Sequence, residues 1–151
     1  MLDIENIGRI GQMFLDGDSL ENLLNDRFTC DDDNIDYKFD LFNQLKISLM
    51  KIERINPDYA LVGVIWYWYP TNKQMATPVI VGRKHPYEGW VVSPCKEELS
   101  KTLKSGTPTS MKRPDETTSY FWPIKNSDAE IVGALELIEG YPCGLFEVKA
   151  R

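Results

Sequence analysis

The chain has 151 residues, of which 42% are hydrophobic and 26% charged, a composition typical of one folded globular domain and not of a disordered segment. Seventeen basic against 23 acidic residues give a formal charge of −6, and no basic cluster is longer than a pair, so we expect no nucleic-acid partner. The longest apolar-rich run, residues 59–69, is far shorter than the roughly 20 residues of a membrane-spanning helix, so we expect no membrane insertion.

The start of the chain and its cysteines both favour a reducing, cytoplasmic compartment. The N-terminus lacks the basic start and the continuous apolar stretch of a secretory signal. Cys30, Cys95 and Cys143 are far apart and show no C-x-x-C spacing, which argues against a disulfide framework and against a thiolate zinc site. We therefore expect neither a metal nor a cofactor.

The first 35 residues are predicted to form a helical extension that ends in an acidic loop. Hydrophobic residues recur there at helical spacing: Ile4, Ile7, Ile10 and Phe14. Gly8 and Gly11 weaken this first helix. Ser19 is predicted to cap a second, short helix. Residues 29–34 are expected to be a solvated connector, because a calcium loop needs a longer ligand pattern with a central Gly.

The strongest helical pattern covers residues 36–55, where apolar side chains recur with helical period. Asp36 is predicted to be its N-cap. Pro57 is predicted to end it, because proline lacks an amide donor and disfavours helix in the residue before it.

Three strands are predicted to follow this helix. Residues 59–69 are apolar on both alternating faces, which is typical of a strand covered on both sides. Residues 77–83 form the second strand, and we expect Pro78 at its start or on an edge because proline cannot donate to the ladder. Residues 89–92 form a short third strand.

Another helix and three more strands complete the pattern. Ser93 is predicted to cap the helix, with Pro94 at its first position and Gly106 ending it. The remaining strands cover residues 108–112, 119–125 and 130–139, and residues 126–128 join the last two as a hairpin.

These elements predict an α+β domain with a mostly antiparallel sheet of five or six strands and helices on both faces. We place the helix of residues 36–55 on one face and the helix of residues 94–105 on the other. Residues 36–151 form the domain, and residues 1–35 precede it as the extension.

Residues 36–140 resemble a GAF domain in the order of their elements and in three segments. The amphipathic helix before the first strand is matched by residues 41–55. A helix exit of the form l-x-x-G-x-P is matched by residues 103–108, and a closing hairpin with the pattern P-I-x-x-x-g-x-x-i-G-v-L is matched within residues 119–137. The related PAS fold is an alternative, although it usually lacks the Gly-x-Pro exit.

The resemblance implies a non-catalytic, small-molecule-sensing regulatory domain of a larger bacterial-type signalling protein. It also implies a homodimer formed through terminal helices, since residues 145–151 lie where a GAF domain begins its last helix. The alternative is a ligand-free interaction or dimerisation module of the same fold, which an acidic domain without a catalytic set suits equally well.

This chain lacks the sequence signatures of several chemistries known in the GAF family. There is no Cys-His pair for a bilin and no Asn-Lys-Phe-Asp-Glu signature for a cyclic nucleotide. A methionine sulfoxide reductase is a weaker alternative: Cys95 is predicted at a helix start, where the dipole favours thiolate, but no resolving thiol lies in the regions that supply it in that family.

His85, the only histidine, is predicted to be an exposed loop residue and not a haem ligand, and we expect no enzyme.

Aromatic residues of the predicted strands are the strongest indication of a binding site. Small-molecule pockets are mostly apolar and aromatic with a few polar groups. We predict these ligand contacts: Trp66, Tyr67, Trp90, Cys95 and Phe121. Trp90 is preferred, because Gly89 before it permits close backbone approach at the entrance to the third strand. Strand alternation puts Trp66 and Tyr67 on opposite faces, and the sequence leaves open which face holds the site.

Overall fold

The computed structural model describes residues 3–25, 32–56, 61–82, 93–94, 96–114 and 116–140. Within these ranges there are four helices: α1 Ile4–Phe14, α2 Gly17–Asn25, α3 Asp32–Glu53 and α4 Glu97–Ser105. The described part of the chain also contains six strands: β1 Leu61–Trp68, β2 Met75–Val81, β3 Ser93–Pro94, β4 Thr109–Lys112, β5 Thr118–Lys125 and β6 Ile131–Glu139.

The six strands form one sheet in the order β3-β2-β1-β6-β5-β4, and every neighbouring pair is antiparallel. The long strands β1, β6 and β5 lie side by side at its centre. Helices pack on both faces: α1, α2 and α3 on one and α4 on the other. The predicted α+β class and antiparallel sheet are therefore confirmed.

The face of the sheet that α1, α2 and α3 cover carries the larger core. Alternate strand residues point into it and meet apolar side chains of all three helices. The buried members that the sheet contributes include Leu61, Ile65, Tyr67, Val79, Ile80, Trp122, Ile124, Leu135 and Leu137. The predicted helical extension thus shares its core with the rest of the domain.

The glycines of α1 let this helix approach the sheet closely. A Cβ added at Gly8 would lie 2.0 Å from the indole ring of Trp122, and one at Gly11 would lie 2.8 Å from a methyl carbon of Leu135. Both glycines are buried. Their low helix propensity is offset by contacts that a larger residue would prevent.

Two predicted helix starts were wrong. Asp16 caps α2 where Ser19 was expected, since the Asp16 carboxylate accepts from the Asp18 amide at 3.0 Å and from the Ser19 hydroxyl at 2.9 Å. Helix α3 begins at Asp32, so Asp36 lies inside it and is not the cap, and residues 32–34 of the predicted acidic loop are helical. An acidic segment is compatible with a helix start, because negative charge is favourable near the positive end of the helix dipole.

The start of α4 was also predicted wrongly. Ser93 and Pro94 belong to β3 and pair with Ala76 and Met75. Lys96 is the N-cap, and it makes no side-chain capping bond. The predicted end is confirmed: Gly106 has φ +73° and its amide bonds to the Thr102 carbonyl, the left-handed conformation that glycine adopts most easily.

Irregular positions in the sheet shape its central strands. Pro78 lies within β2, not at its start, and it pairs with Trp66 where the β1–β2 register shifts, so the missing amide falls at a bulge. A Cβ at Gly133 would meet the Trp66 carbonyl oxygen at 2.0 Å, which explains why a residue without a side chain lies between β1 and β5.

The β5–β6 hairpin was predicted correctly. The Asn126 amide donates to the Glu130 carbonyl at 2.9 Å, and the Ala129 amide donates to the Asn126 carbonyl at 3.0 Å. The turn also anchors α2, because the Asn126 side-chain amide donates to Glu21 at 2.7 Å and the Ser127 amide donates to Asp18 at 3.0 Å.

Candidate functional site

A buried carboxylate lies on the α4-facing side of the sheet. Glu136 occupies the middle of β6, between β1 and β5, where it pairs with Val64 and Phe121. Only 2% of the residue is exposed. Since ionised carboxylates are almost never buried without partners, its surroundings identify the first candidate site.

Three polar side chains converge on Glu136. The indole Nε1 of Trp66 donates to Oε1 at 2.8 Å, and the Ser119 hydroxyl donates to Oε2 at 2.6 Å. Arg113 Nη1 lies 3.7 Å from the same Oε2, within ion-pair range. We define the polar cluster as Glu136, Trp66, Ser119 and Arg113. Both carboxylate oxygens are held, so the direction of the carboxylate is fixed.

Four strands or strand ends supply the polar cluster. Trp66 directly follows the register shift of β1, the kind of irregularity that re-aims a side chain. Ser119 is a buried residue of β5, and Arg113 follows the last residue of β4. The Arg113 amide donates to the Thr117 carbonyl at 2.8 Å, so the tight turn between β4 and β5 fixes the arginine backbone.

Apolar groups border the polar cluster on both sides. Under α4, Phe121 packs fully buried with Leu99 and Leu103, and Trp66 packs against this cluster. Toward the other end of the same face, Trp66 also packs against Val62, Val64 and Ile138. Trp66 is half-buried and spans the two groups. Apolar and aromatic walls around a few fixed polar groups are the usual composition of a small-molecule site.

The structure brings together two of the five predicted ligand contacts. Trp66 and Phe121 lie on the α4 face, whereas Tyr67 is buried in the core on the other face. Burial raises the pKa of Tyr67, and the charges of Glu21 and Tyr69 raise it further. Trp90 and Cys95, with His85, lie outside the described residues, and their roles stay predictions.

Sequence reasoning missed Glu136, Ser119 and Arg113. The signal was present for Glu136: it is the one charged residue within the otherwise apolar run of residues 131–138. In a strand that is covered on both faces, such a carboxylate must have partners. Ser119 and Arg113 gave no such signal, because only strand pairing brings them to Glu136.

A second buried carboxylate, Glu53, lies between α3 and the sheet. Its Oε2 accepts from the Gly63 backbone amide at 2.7 Å, and a Cβ at Gly82 would lie 2.3 Å from the same oxygen. Lys46 nearby donates to the Val81 carbonyl; its pKa is lowered by burial, although the charge of Glu53 acts to raise it. These contacts join α3 to the backbone of β1 and β2, which is a structural role.

Other kinds of site lack support among the described ranges. No group of three or more His, Cys, Asp or Glu side chains there could hold a metal ion. In the same ranges, no helix is long and apolar enough to cross a membrane.

The similarity of this chain to known proteins is a similarity to solved structures. No protein-family model matches the chain, and no curated protein matches it. Among the solved structures that match is the crystal structure of the nlh2 GAF domain from A. aeolicus in an inactive state. That similarity has 12% sequence identity, 93% coverage of this chain, 87% coverage of that chain and a TM-score of 0.48. The predicted resemblance to a GAF domain agrees with this match, which says nothing about a ligand or an activity.

Proposed function

We propose that this chain is a non-catalytic regulatory domain that binds a small molecule on the α4 face of the sheet, beside the polar cluster. The observation that carries the proposal is the buried Glu136 carboxylate, whose partners are side chains from three other strand segments. Glu136 organises these side chains next to a half-buried indole, as a recognition site requires.

The proposed role is sensing and not catalysis. Within the described residues, the polar cluster contains no cysteine or histidine, and its serine is fully buried and donates to Glu136, so a substrate arriving from solvent does not reach the hydroxyl. Ligand binding would act on the position of α4, because Phe121 and Trp66 pack against this helix. The proposal places the domain in a cytoplasmic signalling protein whose output lies in another domain or a partner.

Native mass spectrometry of the purified chain tests this function. We expect a small-molecule adduct that is lost on denaturation and is reduced in Trp66→Ala. Trp122→Ala is the matched control, because Trp122 is a buried sheet tryptophan on the opposite face. Loss of the adduct in Trp122→Ala but not in Trp66→Ala would place the ligand on the face that α1, α2 and α3 cover, and it would contradict the proposal. Trp90→Ala tests the preferred contact that the sequence predicted.

A dimerisation module is the second candidate, and exposed side chains of α1 and α3 favour it. Met13 is 85% exposed, Phe14 68% and Ile47 53%. Large exposed apolar groups on helices are a common means of self-association, and the proposed occupant is a second copy of this chain. Light scattering should then give a dimer mass that Phe14→Ser reduces, whereas a concentration-independent monomer would contradict this candidate.

A further inference from the structure

Directional hydrogen bonds join α4 to β4, the strand that follows it in the chain. The Thr109 hydroxyl of β4 donates to the Glu98 carbonyl of α4 at 2.8 Å and lies 2.8 Å from the Thr102 hydroxyl of α4. Because a hydroxyl has one proton to donate, Thr102 is the donor in the second contact, and it shares its proton with the Thr107 carbonyl at 3.0 Å. Thr102 is fully buried. We call Thr102 and Thr109 the threonine pair.

The connection between α4 and β4 is closed by further hydrogen bonds. The Thr107 amide donates to the Ser105 hydroxyl at 3.1 Å, and that hydroxyl donates to the Lys101 carbonyl at 2.6 Å. The helix, its connection and the strand therefore form one hydrogen-bonded element of residues 97–112, which we call the α4–β4 unit.

The α4–β4 unit is attached to the rest of the sheet less firmly than the central strands are to one another. Its helix rests on Phe121 and Ala134 through two apolar side chains, Leu99 and Leu103. Its strand has four residues, and among the described strands it pairs with β5 alone, at one edge of the sheet. Elements with few buried apolar contacts open locally at a lower free energy than the core. Because the threonine pair would have to break if α4 opened alone, the helix and the strand should open together.

We propose that α4 and β4 detach from β5 and β6 as one cooperative unit, and that a ligand bound on the α4 face regulates this detachment. The inference rests on the proposed function and names the movement that ligand binding controls. Detachment uncovers Phe121, which is fully buried and pairs with Glu136. It also carries Arg113, the residue after β4, away from Glu136. A compound that contacts both α4 and the sheet therefore favours the attached state.

Native-state hydrogen exchange of the full chain, followed by NMR without any added compound, tests the cooperative unit. The reporters are the backbone amides of Leu103 in α4, Met111 in β4 and Ile65 in the central strand β1. The Arg113 amide donates to the Thr117 carbonyl, so the Met111 amide, two residues earlier, points to β5 as well. We expect equal protection factors for Leu103 and Met111, both lower than that of Ile65. Unequal factors, or factors as high as that of Ile65, would overturn the inference.

Variants of similar size separate the threonine pair from general effects on the strand. Thr109→Val removes the hydroxyl and keeps strand propensity. Met111 should then lose about fivefold protection relative to Leu103, the effect of about 1 kcal/mol for one hydrogen bond. Thr109→Ser keeps the hydroxyl and should keep the two factors equal. Thr118→Val is the matched control, because Thr118 lies on the neighbouring strand β5 and outside the pair. Factors that stay equal in Thr109→Val, or that separate as much in Thr118→Val, would overturn the inference.

The effect of a ligand is measured in a separate titration, so this inference and the proposed function fail in different ways. The compound recovered by native mass spectrometry is added at about 100 times its Kd, and the protection factors of Leu103 and Met111 should both rise about 100-fold. A compound that shifts the Trp66 indole signal but leaves both factors unchanged would overturn the regulation and leave the binding face intact. A compound that shifts Trp122 alone would contradict the proposed function, while exchange without the compound still decides whether α4 and β4 open together.

Discussion

Replacing Glu136 by leucine tests whether the polar cluster is organised as described. Leucine has similar size but cannot accept hydrogen bonds, so the Trp66 indole loses the acceptor that lies 2.8 Å away and Ser119 loses the one at 2.6 Å. Arg113 loses its counter-charge at 3.7 Å. Because the Arg113 side chain is partly exposed, water compensates much of this last loss.

The size of the effect follows from these contacts. Each hydrogen bond to a charged group contributes about 1.5 to 3 kcal/mol, and the two are not additive because they share one carboxylate. Removing the cost of burying a charge, and adding apolar contacts, offsets part of the loss. We expect the free energy of unfolding to fall by about 1 to 3 kcal/mol, equivalent to a melting temperature lower by roughly 3 to 10 °C for a domain of this size.

Urea denaturation followed by circular dichroism measures this change, and NMR of the indole Nε1–H of Trp66 reports the lost bond directly. Glu136→Gln is the matched control: it keeps the shape and one acceptor oxygen, so it should lose less stability than Glu136→Leu. A Glu136→Leu variant as stable as the wild type, or a Trp66 Nε1–H resonance that does not move, would show that Glu136 does not hold the polar cluster together.

Three further predictions concern the fold. Gly8→Ala should destabilise the protein by about 1 to 3 kcal/mol despite the better helix propensity of alanine, because the new Cβ would lie 2.0 Å from the Trp122 ring; an unchanged or raised melting temperature would contradict the close approach of α1. Phe121→Ala should cost about 3 to 5 kcal/mol, since Phe121 is fully buried under α4, and hydrogen exchange should show α4 amides opening more often than those of α1. Burial raises the pKa of Tyr67, so the folded state keeps the neutral phenol at a pH of about 10, where the unfolded state ionises. The free energy of unfolding should therefore fall as pH rises above about 10. The urea midpoint of Tyr67→Phe, which has no phenol to ionise, should fall less over the same range.

The sequence predicted those parts of the fold that local periodicity determines. A run of residues that is apolar on both faces located β1, a turn between two strand patterns located the β5–β6 hairpin, and helical spacing located α1 and most of α3. Helix starts were less predictable, because capping depends on geometry that several residues can supply. Ser93 and Pro94 are a plausible helix start in sequence, yet pairing with β2 draws them into the sheet.

The candidate site was only partly predictable for a related reason. Alternation correctly separated Trp66 from Tyr67, but which face carries the candidate site depends on where the helices pack. Glu136 was detectable as a charge within an apolar strand. Arg113 and Ser119 were not, because they reach Glu136 only through the pairing of β4 with β5 and of β5 with β6.

Ligand binding on the α4 face is tested most directly with the tryptophans on the two faces of the sheet. The compound recovered from native mass spectrometry is added back to ligand-free protein, and the indole Nε1–H resonances, assigned with Trp→Phe variants, are followed by NMR. We predict that the Trp66 resonance, whose Nε1 donates to Glu136, shifts saturably while that of Trp122 on the opposite face does not. A saturable shift of Trp122 with Trp66 unmoved would contradict it.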